Sequence, residues 1–93
     1  GGEEFLLLRL ASAKEALEVA ETVRRALEAQ RIPHHFSKAA AVVTLSAGVS
    51  AKVCCDRRDM ENLINEADQA LYAAKARGRN QCVRYRPNLE AKA

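Results

Sequence analysis

The chain has 93 residues, 48% of them hydrophobic and 29% charged, with 15 basic and 12 acidic side chains giving a net charge of +3. A chain this short is one domain or part of one and can build only a thin core. It contains no apolar run near the roughly 20 residues that span a bilayer, and no basic-then-apolar leader, so contact of this segment with a membrane is not expected and a cytoplasmic location is. Only four aromatic residues occur, and none alternates with the late basic cluster of Lys75, Arg77, Arg79, Arg84 and Arg86, which argues against binding a nucleic-acid polymer. The three cysteines, Cys54, Cys55 and Cys82, lack the spacing used for zinc or redox pairs and fit a reducing compartment, with one of the adjacent pair expected buried and the other exposed.

Gly1 and Gly2 precede a short apolar run from Phe5 to Leu10 that reads as a buried strand. A glycine pair there signals a tight hairpin, because both positions tolerate positive φ, so a partner strand is expected upstream of Gly1. From Ser12 to Gln30, Ala16, Leu17, Ala20, Val23 and Leu27 recur at helical spacing. Ser12 with Glu15 predicts a capping box at the start, and Ile32-Pro33 stops any continuation. His34 and His35 come next, with no partner at metal-ligand spacing.

Residues 41–49 alternate as a strand, with Val43, Leu45, Ala47 and Val49 on one face and Val42, Thr44, Ser46 and Gly48 on the other. After a polar stretch, Asp59 is the predicted cap of a helix with the stripe Met60, Leu63, Ile64, Ala67, Leu71 and Ala74, ended by Gly78 in a left-handed cap. Cys82 to Arg86 reads as a last strand closed by Pro87. The order strand, helix, strand, helix, strand predicts an α/β fold, a two-layer sandwich with both helices against one face of a sheet. Two amphipathic helices need a broader sheet than three strands offer, so further strands are expected upstream.

Two constellations could carry chemistry. In Gly1-Gly2-Glu3-Glu4-Phe5, glycines would let the backbone approach a phosphate, and a carboxylate beside the turn would suit Mg2+ with its preference for hard oxygen ligands. Taken alone, a glycine hairpin with solvated glutamates is the commoner meaning of such a pentapeptide. In the second, Lys75 stands in the last helical turn and Arg79 just past Gly78, where both could face one anion. Taken alone, cations at a helix C-terminus more often complement the macrodipole, at about 0.3 to 1 kcal/mol each.

Three segments occur in order: Gly1-Gly2-Glu3-Glu4-Phe5, Val43-Thr44-Leu45-Ser46-Ala47-Gly48-Val49, and Ala67-Asp68 through Gly78-Arg79-Asn80. Together they resemble the GGDEF family of diguanylate cyclases over nearly the whole chain. The resemblance implies a palm-like fold of the nucleotidyl cyclase type, of which this chain would be the C-terminal β-α-β-α-β part of a single domain. It also implies condensation of two GTP molecules into cyclic di-GMP and pyrophosphate, with Mg2+ or Mn2+ as cofactor and a homodimer bringing two half-sites together.

Carried over by residue, Glu3 is the implied metal ligand, Glu4 the implied catalytic partner, Gly1 and Gly2 shape the turn against GTP, and Lys75 and Arg79 contact the triphosphate. The family's other metal ligand, its base-reading residues and its inhibitory product site would all lie upstream of Gly1, so this segment alone is expected to be inactive. A supporting arginine of some members falls near Thr22, with Arg24 and Arg25 beside it. The alternative to a cyclase is a module of the same family that binds GTP or cyclic di-GMP without turnover, as a sensor or scaffold.

Overall fold

The computed structural model describes residues 11–33 and 42–87. Helix α1, Ala13–Ala29, begins as its sequence predicts: the Ser12 hydroxyl accepts from the Glu15 N–H at 3.1 Å. Such a cap satisfies one of the orphan donors of the first turn and is worth about 1 kcal/mol. The helix ends through left-handed Arg31, φ 50°, whose N–H donates to the Glu28 carbonyl at 3.0 Å before Pro33 prevents any further turn.

Strand β1 is Ala47–Val49 and strand β2 is Cys82–Arg84; they pair in parallel, Gly48 opposite Val83. The predicted strand over 41–49 is thus much shorter among the described residues. A regular ladder needs a partner at every step, and β2 supplies three positions. Upstream, Val42 instead forms an isolated antiparallel bridge with Pro33, and the Val43 N–H donates to the Ile32 carbonyl at 2.7 Å. The last strand is likewise shorter than 82–86, although the Tyr85 N–H still reaches the Val49 carbonyl at 2.7 Å. The expected strand at Phe5–Leu10 lies outside the described residues.

Helix α2, Arg57–Ala76, starts three residues earlier than predicted. Asp56, not Asp59, is the cap: its carboxylate accepts from the Asp59 N–H at 2.8 Å, while the Asp59 carboxylate reaches back to the Cys55 N–H at 2.9 Å. Two aspartates three apart therefore divide the work of one reciprocal cap. The deepest burial on α2 agrees with the predicted stripe at Ala74 and departs from it at Ala70 and Ala73. Ala70 and Ala74 are 0% exposed and Ala73 is buried with them against Val83, whereas Met60 and Ile64 are exposed.

The reason is the close approach of β1. A Cβ on Gly48 would fall onto the Ala67 carbonyl oxygen and the Leu71 nitrogen, and 2.8 Å from the Leu71 Cα. At that separation only small side chains fit between helix and strand.

Gly48 faces α2, and its partner Val83 packs on the α2 alanines from the same side. The neighbouring Cys82 faces the other way, toward Glu21 and Arg24 of α1, which act on the titration of its thiol. Since successive residues of a strand point to opposite faces, the two helices flank the strand pair on both sides. The α/β class stands, but the expectation that both helices cover one face is corrected for the described residues. Neither helix is long and apolar enough to cross a membrane.

Candidate anion site at the end of helix α2

The sequence Ala74-Lys75-Ala76-Arg77-Gly78-Arg79 builds the end of α2 as a Schellman motif. The Gly78 N–H donates to the Lys75 carbonyl at 3.3 Å, and the Arg79 N–H reaches over it to the Ala74 carbonyl at 2.9 Å. Gly78 takes φ 115°, a left-handed conformation that an L side chain rarely adopts, as the sequence predicts for this glycine. Lys75 in the last turn and Arg79 just past the cap are both exposed, so two cations stand at one helix end. The carbonyl-rich terminus of a helix favours such charges even without a ligand.

The backbone beyond Gly78 is less usual. Arg79 and Asn80 also have positive φ, 63° and 49°, so three consecutive residues occupy the left-handed region. Outside glycine this region is sparsely populated and persists where surrounding contacts hold it. The contacts converge on Asn80. Its N–H donates to the Ser46 hydroxyl at 3.0 Å, its side-chain amide donates to the Glu28 carboxylate at 2.6 Å, and its side-chain carbonyl accepts from Arg24 Nη1 at 3.0 Å. Gln81 closes the loop from its other side, donating from Nε2 to the carbonyls of Arg77 and Arg79 at 3.3 and 3.2 Å.

Arg24 is itself fixed. Its guanidinium grips Glu21 through Nε and Nη2, both at 3.1 Å, and reaches Glu28 at 3.5 Å, with only 16% of the side chain exposed. A two-pronged arginine–carboxylate pair sets orientation as well as attraction. The Arg24 hydrogen bonds, and then the Cys82 thiol, hold the Glu21 carboxyl below its ordinary pKa. Burial and the adjacent Glu21 push the Cys82 thiol up to about 11, so it stays protonated and is a poor nucleophile. In sequence Arg24 stands out only as a neighbour of a supporting position; the structure commits it to carboxylates and to Asn80.

Other expectations divide. Cys54 and Cys55 are both exposed, not one buried and one exposed, because they lie in an irregular, exposed segment before α2 and not in a strand with an inner and an outer face. Asp68 is exposed, as expected for a carboxylate off the apolar stripe. Gly1, Gly2, Glu3 and Glu4, with His34 and His35, lie outside the described residues. Among the described residues no three His, Cys, Asp or Glu side chains gather in a way that could hold a metal.

The second and third of the ordered segments meet in space: Ser46 bonds Asn80, and Gly48 lies against Ala67 and Leu71. A family model described as "Diguanylate cyclase, GGDEF domain" matches residues 1–81. The chain belongs to the GGDEF family.

Among characterised relatives, it is similar to diguanylate cyclase A of Treponema denticola, 38% identical over 90 residues, covering 96% of this chain and 24% of the relative. It is similar to the same degree to diguanylate cyclase DosC of Escherichia coli K12, covering 96% of this chain and 19% of the relative. A diguanylate cyclase of Vibrio cholerae is 38% identical over 92 residues, covering 97% of this chain and 27% of the relative. The chain thus spans about a quarter or less of the length of these relatives. No solved structure matches it.

Asn80, Ser46 and Arg24 are functional candidates that periodicity does not single out. Ser46 and Asn80 are visible in the sequence only as members of the ordered segments, and nothing local marks Arg24 as their partner.

Proposed function

We propose that this chain is the C-terminal part of a catalytic GGDEF domain that, in the intact protein, condenses two GTP molecules into cyclic di-GMP and pyrophosphate. Membership of the family and similarity to proteins named diguanylate cyclases support the reaction class. The observation that carries the reading is the end of α2, where Lys75 in the last turn and Arg79 on the following loop are both exposed and the loop is fixed by a Schellman motif and by Asn80. Two cations on a fixed backbone suit a polyphosphate, since little backbone freedom remains to be lost on binding. Arg79 would contribute directional hydrogen bonds and Lys75 a point charge.

In this reading Gly1 and Gly2 let the backbone approach the nucleotide, Glu3 is a ligand for Mg2+ or Mn2+, and Glu4 acts at the reacting atoms. A divalent ion bound there would supply charge neutralisation at phosphate oxygens. The described residues contain no such cage, so the metal assignment rests on Glu3, which lies outside them. Each GTP presents its 3'-hydroxyl to the α-phosphorus of the other, so one domain holds half of the reaction and two copies must meet. Signalling in the cytoplasm through a diffusible product is the setting this chemistry fits.

The test is product formation by the intact protein with GTP and Mg2+. Cyclic di-GMP is expected from the parent, with turnover lost, by about a hundredfold or more, in Glu3→Ala and in Glu4→Ala. Undiminished product from both variants would take the catalytic role away from Glu3 and Glu4, and absence of product from the parent would leave the domain a binding role.

A further inference from the structure

We infer that Asn80 is a positioning residue for Arg79, clamped by Arg24 and Glu28 of α1, so that α1 sets the geometry of the triphosphate contact. The inference rests on the reading of Arg79 as a triphosphate ligand. Arg79 sits between two other residues with positive φ, and its own backbone is left-handed at 63°. A non-glycine residue there gives up roughly 1 to 3 kcal/mol unless its surroundings enforce the conformation. Asn80 is the residue through which enforcement arrives. It is bonded to Ser46 just before β1 by its backbone, and to both Arg24 and Glu28 by its side-chain amide.

The chemistry of the clamp fixes its sense. Asn80 uses its carbonyl toward the arginine and its NH2 toward the carboxylate, an orientation that both partners require and that a flipped amide would oppose. Arg24 is held by Glu21 and by Glu28, so its charge is largely matched within α1. Arg24 therefore acts through Asn80 instead of serving as a third cation for the ligand. These bonds span 56 and 52 residues of sequence and join α1 directly to the loop that carries Arg79. Local helix-capping bonds alone would fix Gly78 and the Arg79 N–H but would leave Asn80 free to turn the adjoining backbone.

Asn80→Gly separates the two contributions, because glycine keeps the left-handed backbone at little cost while deleting the amide. In the intact protein, Asn80→Gly is expected to raise KM for GTP about tenfold, with kcat changed less than about twofold, the pattern of a lost ground-state contact. In an Arg79→Ala background the same substitution should add less than about twofold to KM, since the residue it positions is gone. Glu28→Ala, at a partly exposed carboxylate, should give a smaller rise in KM and provides the test if Asn80→Gly does not fold.

An unchanged KM in both Asn80→Gly and Glu28→Ala would overturn the inference, as would an Asn80→Gly effect of the same size with or without Arg79. If Arg79→Ala itself leaves KM unchanged, the triphosphate reading fails first and the positioning role falls with it. A normal effect of Arg79→Ala with a silent Asn80→Gly removes the positioning role alone.

Discussion

The two helices are attached to the same pair of strands by different physics. Helix α2 is held by steric fit: three buried alanines lie against Val83, and Gly48 lets the β1 backbone come within contact of Ala67 and Leu71. Helix α1 buries no residue completely, and Val23 on its predicted apolar stripe is 52% exposed. Among the described residues, the side-chain hydrogen bonds from α1 to the α2 loop run through Arg24, Glu28 and Asn80. The contrast separates two contributions. Close packing gives the cationic end of α2 a stiff base, and the polar clamp from α1 gives that end its final geometry.

The largest effect that would break this contrast is expected at Gly48. Gly48→Ala puts a Cβ on the α2 backbone, which cannot yield as a flexible side chain can, and should cost about 3 kcal/mol or more of stability in denaturant melts of the intact protein. A cost below about 1 kcal/mol would mean that α2 is not held by close approach. A smaller and sharper test comes from the caps. Ser12→Ala and Asp56→Ala should each cost about 1 kcal/mol in the same melts, with Asp56→Ala at the larger end because its cap is reciprocal with Asp59. Equal and negligible losses would show that both helices are fixed by tertiary contacts alone.

How far the sequence reveals this arrangement depends on the range of the interactions. Helix α1 is legible at both ends because Ser12, Glu15 and Pro33 act within a few residues of their own positions. Gly78 is legible for the same reason. The start of α2 is displaced by three residues from its predicted place because Asp56 and Asp59 carry the same capping chemistry, and only the fold shows which one stands outside the first turn.

The predicted α2 stripe sets four large side chains, which drive burial in most helices, beside Ala67 and Ala74. Close approach at Gly48 instead gives the deepest positions to alanine, an outcome set by a strand remote from them in sequence. Among the described residues, the strand predicted at 41–49 pairs regularly only over Ala47–Val49, because alternation records a possible face and not the presence of a pairing partner. In the candidate site, Lys75 and Arg79 are marked by the sequence, and both are exposed at the predicted helix end. The Arg24–Asn80–Glu28 clamp is invisible there, because it joins residues 56 and 52 positions apart through side-chain bonds that no local pattern encodes.

The proposed chemistry requires the end of α2 to be a polyphosphate site and not merely a well-capped helix. Calorimetric titration of GTP into the intact protein and its Arg79→Ala variant tests this requirement without intermediaries. Loss of a charge-assisted phosphate contact should weaken the Kd by about tenfold or more, with the melting temperature little changed. An identical Kd in the two proteins would refute the polyphosphate role, and the cations at this helix end would then serve the helix alone.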